Sequence, residues 1–408
     1  MTERGAWRLL AALAALNVLG YVDRQLVAAL APVLMAELGL SRGDIGLLIG
    51  PVFVVVFGIG TLVLGAAADR GRRPRIIAGG LAVWSASTAL TGTASSFATL
   101  AFWRALVGVG EATLPPTAIS MLGDRFPPSR LGFASSVYYA GIPVGFACSL
   151  AVAGWLVPRL GWRSCFYLLG VLGLGAVALV WRMADPPRRS SRAGAAQGEP
   201  APGGTTASRL GRAFAGEPAL AFLICGAILL TYASASSQHL VTWLVQERGF
   251  AYSRAAYLAA AVVLGAGLAG NLAIGALTDA AQRRHTRGRL GAVVGLGALS
   301  LATTAAFYLL PASSPFFLAA WLVAQAWTLG WFGPVLAAMH EMAPAGSRAT
   351  VIGFGLMAAN LVGVGTGSWI TGAVGDRAGL TTGLVASVAV GAVGLVLVGL
   401  AALRQRLR

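Results

Sequence analysis

Four ionisable side chains lie inside stretches that are otherwise apolar, and their types define the chemistry open to this chain. Asp23 and Arg24 interrupt the first stretch, in Asn17-Val-Leu-Gly-Tyr-Val-Asp23-Arg24-Gln25; Arg104 and Glu111 lie in the fourth. Acids and bases at membrane depth are expensive and mark substrate, ion or proton pathways. Arg104 and Glu111 are two helical turns apart, so both project from nearly one face about 10 Å apart. Two carboxyls and two guanidiniums can exchange partners when a proton arrives, because a protonated acid releases its arginine. The expected coupling device is Arg104 switching between Asp23 and Glu111, the two protonation sites. Helix neighbours diverge by about 100°, so Arg24 shares a face with Asn17 and Tyr21 rather than with Asp23. It could hold an anionic headgroup or snorkel outward. The competing reading is a permanent ion pair, but such a pair is a poor source of stability at this depth.

Composition says what must position these groups. Of 408 residues, 57% are hydrophobic and 11% charged, with mean hydropathy +0.76. A soluble domain carries about 25% charged residues, so the chain reads as a polytopic, all-α integral membrane protein. All 30 basic residues are arginine, and the net charge is +16. The arginines cluster in short loops beside apolar segments, which signals topology and excludes a nucleic-acid partner. Cys148, Cys165 and Cys225 are scattered through apolar segments, with neither a disulfide framework nor metal-ligand spacing. The N-terminus mimics a signal peptide, yet Asp23-Arg24 interrupts the run and no small-residue cleavage site follows. It is therefore an uncleaved first helix.

At about 20 residues per span, twelve segments emerge. They lie near 7–35, 45–68, 76–95, 98–121, 131–157 and 163–183, then 217–246, 253–279, 290–310, 315–340, 349–372 and 380–403. Residues 184–215 are rich in Pro, Gly, Ala, Ser and Arg and read as a cytoplasmic linker. It separates an N-terminal six-helix bundle (1–183) from a C-terminal one (216–408). The loops at 69–75, 184–215 and 281–289 hold most of the arginines, which puts both termini in the cytoplasm of a cell's inner membrane. The halves echo each other: Gly65-Ala-Ala-Ala-Asp69-Arg70-Gly-Arg72-Arg73 follows the second segment and Gly275-Ala-Leu-Thr-Asp279-Ala-Ala-Gln-Arg283-Arg284 the eighth. Six-plus-six repeats belong to secondary transporters, whose substrate site lies at the midplane.

The second half has no acid at mid-membrane depth; its polar groups include His239, Asn271, Gln325 and Asn360. Candidate cavity residues are Asn17, Tyr21, Tyr138, Tyr139, His239, Gln325, Trp327, Trp331 and Asn360. Charge on one side and aromatic rings on the other suit an amphiphile. The bland alternatives are a hydrogen-bonded packing histidine and interfacial tryptophans, Trp369 above all. Pro115-Pro116 and Pro334 should bend their helices, as should Pro143. An enzyme would need a catalytic cluster. The three histidines, His239, His285 and His340, form no Ser-His-Asp or metal arrangement. No pore-loop motif or charge ring suggests a channel. The expected protein is a transporter without cofactor, coupled to protons.

These motifs resemble the major facilitator superfamily across nearly the whole chain. The Gly65…Asp69-Arg70…Arg73 loop looks like its signature between the second and third helices, which locks cytoplasmic helix ends. Asp279 repeats it in the second half. Here Arg72 stands where that signature has glycine, and Pro74 replaces a basic residue. Arg104-Ala-Leu-Val-Gly108-Val-Gly110 resembles the fourth-helix motif, whose arginine is tied to proton coupling. Gly141-Ile-Pro143-Val-Gly145 is similar to the fifth-helix motif. Within the superfamily, Tyr21-Val-Asp23-Arg24, Val107-Gly-Val-Gly-Glu111-Ala and Gly161-Trp162-Arg163 resemble the spinster family, which moves lysophospholipids and sphingosine-1-phosphate in animals. The resemblance implies protonation at Asp23 and Glu111, with Arg24 and Arg104 as partners, and a lipid-like substrate. Proton-coupled export of small organic compounds or drugs is the alternative within the class; a membrane-embedded lipid-modifying enzyme is the alternative outside it.

Overall fold

The computed structural model describes residues 3–188, 206–285, 288–344 and 347–404, and these form helices and short connections. The first six spanning helices are α1 (Glu3–Leu38), α2 (Pro51–Arg70), α3 (Arg73–Thr91), α4 (Phe97–Glu111, then Leu114–Arg125), α5 (Pro128–Tyr139, then Gly141–Leu160) and α6 (Arg163–Trp181). The second six are α7 (Ala219–Ser236, then Leu240–Gln246), α8 (Tyr252–Val262, then Leu268–Arg284), α9 (Gly288–Leu309), α10 (Phe317–Gly330, then Phe332–Met342), α11 (Arg348–Ala358, then Gly365–Ala378) and α12 (Leu380–Arg404). Each falls on one of the twelve segments expected from the sequence. Among the described residues eleven spans are long and apolar enough to cross a membrane, the one for α2 running Arg42–Thr61. The twelfth, α3, has 19 residues, with two arginines at its start and buried hydroxyls at Ser85, Ser87, Thr88 and Thr91.

Helix ends and bends follow from local chemistry. Ser41 caps a short helix, Arg42–Ile49, ahead of α2: its hydroxyl accepts the Asp44 amide, and the Asp44 carboxylate accepts the Ser41 amide. The bends predicted at Pro115-Pro116 and Pro143 occur as breaks just before each proline, at Ala112–Thr113 in α4 and at Ala140 in α5. Pro334 lies in the turn after the α10 break at Trp331. Proline removes an amide donor and its ring clashes with the preceding turn, so the helix yields on that side.

Cα packing divides the chain into two compact units, Met1–Arg189 with Gln238–Leu264, and Ser190–Ser237 with Gly265–Arg408. The first therefore contains α1–α6 together with the end of α7 and the start of α8. Within it α1 packs on α5, α3 on both α4 and α6, and α2 on α4. Tyr252 donates its hydroxyl to the Ala29 carbonyl at 2.9 Å, and Ser253 donates to that of Gly154 at 3.0 Å. Close approaches depend on missing side chains: a Cβ on Gly110 would lie 2.6 Å from the Gly80 carbonyl and 2.6 Å from Trp84. One on Gly145 would lie 2.6 Å from Tyr21 Cβ. In the second unit α7 packs on α12, α9 on α10 and α12, and α8 on α9 and α10. Its core includes Leu223, Ile224, Val335, Met339, Leu395 and Val398. Most of the linker, 189–205, lies outside the described residues; Thr206–Gly216 is a helix that joins this core through Leu210, Ala213 and Phe214.

Candidate functional site

The four membrane-depth charges are all in the first unit, where α1 and α4 present them. Asp23 is 2% exposed. One carboxyl oxygen accepts the Thr88 hydroxyl of α3 at 2.6 Å, and the other has no hydrogen-bond partner. Arg24, one position on, turns to a different face and pairs with Glu111. Its Nε and Nη2 donate to the same oxygen, Oε2, at 3.1 and 2.7 Å, while Glu111 Oε1 is buried without a partner. The rings of Tyr21, Phe53 and Phe57 surround the Arg24 guanidinium at 4.7, 4.9 and 4.6 Å, a cation–π enclosure that suits a planar cation. Its side chain keeps 23% exposure against 2% for Glu111, so the guanidinium is the accessible member of the pair.

Arg104 does not hold a carboxylate here. Its Nη2 donates to the Arg24 carbonyl at 2.7 Å and its Nη1 to the Asp23 carbonyl at 3.3 Å, over the Phe53 ring at 4.7 Å. In this arrangement Arg24 pairs with Glu111, and Arg104 clamps the α1 backbone without touching either of the carboxylates between which it is expected to switch. Break and charge coincide, since Glu111 ends the first stretch of α4 and Leu114-Pro115-Pro116 begin the next.

Of the nine candidate cavity residues, Asn17, Tyr21, Tyr138, Tyr139 and His239 belong to the first unit and Gln325, Trp327, Trp331 and Asn360 to the second. Asn17 is buried and donates to the Tyr138 carbonyl at 2.7 Å; Tyr138 is fully buried with a partnerless hydroxyl, and its ring meets that of half-exposed Tyr139 edge-on. With Tyr21 these adjoin the Arg24 pair. His239 is buried in the first unit, in the turn between the two stretches of α7. In the second unit Trp327 and Trp331 fill the core, Trp327 against Gly297 and Trp331 donating to Ser234 at 3.2 Å. Gln325 is buried, while Asn360 is exposed and donates to the Leu356 carbonyl one turn back.

For the lock, the side chains of Gly65, Asp69 and Arg70 lie outside the described residues. Arg73 is 1% exposed and acts as a hub. Its Nε donates to Asp185 at 2.8 Å, its Nη1 to Asp124 and Ser120, and its Nη2 to the Pro186 carbonyl. Asp124 and Asp185 were not singled out from the sequence; their adjacency to helix-end arginines was the available signal. In the second unit Arg289 bridges Asp279, at 3.0 Å, and Glu341. Trp162 and Arg163 both grip Glu37, Trp162 at 2.7 Å, which ties the start of α6 to the end of α1.

Long apolar helices with ionisable groups held among them define a multi-pass membrane transport protein. The chain belongs to the Major Facilitator Superfamily, which residues 13–363 match. An MFS-type efflux pump of Mycolicibacterium smegmatis is 28% identical over 91% of this chain and 85% of its own length. Protein spinster of Drosophila melanogaster is 29% identical over 46% of this chain, which spans 31% of that protein. The crystal structure of a bacterial homolog of the human lysosomal transporter spinster, inward-facing and unoccupied, superposes with a TM-score of 0.85. It is 22% identical, covering 99% of this chain and 98% of that one.

Proposed function

We propose that this protein is a proton-coupled secondary transporter that moves an amphiphilic, lipid-like molecule, such as a lysophospholipid or sphingoid phosphate, by alternating access. The observation that carries the reading is the separation of the two acids. Asp23 lies buried with one hydroxyl partner, and Glu111 is bound to a guanidinium that remains partly open. Isolated buried charge is strongly penalised, so a proton is the economical partner for Asp23. Protonation of Glu111 would free Arg24, whose ring-walled guanidinium matches a phosphate or carboxylate head. Four candidate cavity residues of the first unit, Asn17, Tyr21, Tyr138 and Tyr139, adjoin that position. In this reading protons are the coupling ion, no bound cofactor takes part, and a monomer works in the inner membrane with Arg73 and Asp279 in its cytoplasmic locks.

A second reading, export of small organic compounds, is favoured by the extent of likeness to the efflux pump. One experiment separates them. Purified protein in liposomes is offered lysophosphatidylcholine, sphingosine-1-phosphate, an organic anion and ethidium at acid and neutral pH, as wild type, Asp23→Asn and Glu111→Gln. Lysolipid binding that changes with pH, and loses that dependence in both variants, supports the proposal. Ethidium or organic-anion binding that lysolipid does not displace transfers the assignment to the exporter. Undiminished pH dependence in both variants removes the proton-coupling role of these acids.

A further inference from the structure

We propose that Thr88 is a positioning residue for proton uptake at Asp23: its hydroxyl donates to the carboxylate and accepts from the acid, so one side chain serves both protonation states. The proposal rests on the proton-coupling reading above and adds a residue to it. Among the described residues Thr88 alone hydrogen-bonds the Asp23 carboxyl, at 2.6 Å, and is itself 1% exposed. The Arg104 guanidinium does not take this role, because it donates to the backbone carbonyls of Asp23 and Arg24.

A hydroxyl differs from an arginine or an amide in being able to reverse. Opposite a carboxylate it gives its proton to the bond. Opposite a carboxylic acid it accepts, and its own hydrogen can turn to the carbonyl one turn back, that of Trp84, the usual resort of a threonine in a helix. Both states of Asp23 therefore keep a satisfied oxygen without any movement of the backbone. Loss of the hydroxyl leaves both oxygens of a fully buried carboxyl bare, which disfavours the charged state most. The other ionisable groups around Asp23 are Arg24 on its own helix and Arg104 and Glu111 on α4. The charged residues of α2, α3, α5 and α6 lie towards helix ends, and Tyr138 and Tyr139 add phenols from α5. The end of α7 also packs on α1, with His239 buried in the turn before it and Glu247 and Arg248 just after it.

Infrared difference spectroscopy in liposomes, with pH stepped from alkaline to acid, reads the carboxyl directly and needs no substrate. Among the titrating carboxylic-acid carbonyl bands, those of Glu111 and the surface acids included, the wild type is expected to give one that Asp23→Asn abolishes. Thr88→Val, close in shape, should move that band to the frequency of an acid with no hydrogen bond and displace its midpoint by about one to two pH units. Thr88→Ser should restore both. If the band and midpoint of Thr88→Val match wild type while Asp23→Asn removes the band, the proposal for Thr88 is overturned and the role of Asp23 survives. If the titrating band persists in Asp23→Asn, Asp23 is not the proton site, and the proposal falls together with its premise.

Discussion

Glu111 meets Arg24 through one oxygen only, and the other is buried with no partner. A pair so arranged is easy to open, because half of the carboxylate is already unsatisfied. The energetic consequence is asymmetric. Truncating one member strands the other, whereas replacing both removes the desolvation of two charges at once. Glu111→Leu is expected to lower stability by about 3 kcal/mol, the low end for a broken buried pair, since Arg24 keeps its three rings and some exposure. The double variant Arg24→Met with Glu111→Leu should recover most of that loss. Denaturant unfolding in detergent, followed by tryptophan fluorescence, measures both; equal losses in the two variants would mean the pair carries no coupling.

Helices were legible in the sequence because their signal is long and redundant: some 20 apolar residues cannot be hidden by a few exceptions. The prolines of α4 and α5 were legible for the same reason, being local. Partner choice was not. That Asp23, Arg24, Arg104 and Glu111 belong together followed from depth, but which cation meets which acid depends on the rotation and slide of α4 against α1. Those are set by distant contacts such as Gly110 on Gly80 and Gly145 on Tyr21. Thr88 was missed because a threonine in an apolar helix carries little signal, although the Ser85, Ser87, Thr88, Thr91 series was there to be read. Trp327 and Trp331 were named for the cavity by residue type alone; what the sequence did not show is that both pack into the apolar cluster of the second unit. The glycine seam gives its own test. Gly110→Ala would force α4 from α3 and is expected to destabilise by about 1–3 kcal/mol, as overpacking does. Gly79→Ala, where a Cβ meets open space, should be neutral or slightly stabilising. Thermal unfolding of the two single variants provides the comparison.

At the scale of the molecule, the order of the chain and the order of its packing disagree. The sequence divides at the linker into two sets of six helices, yet Gln238–Leu264, from beyond the linker, is packed within the first compact unit. Tyr252 and Ser253 fasten it to α1 and α5. A gene cut in the linker would therefore not yield two self-sufficient products. The first fragment would lack the segment that covers the Ala29 and Gly154 carbonyls, and the second would carry that segment with nothing to dock on. Each half produced alone should be degraded, and the two co-expressed should accumulate and purify together. Stable, separately purifiable halves would show that the Gln238–Leu264 segment contributes little. With that segment in place, the two gene halves are unequal partners: the first cannot be swapped for a distant relative's without regard to the second, since the second supplies part of the first one's unit.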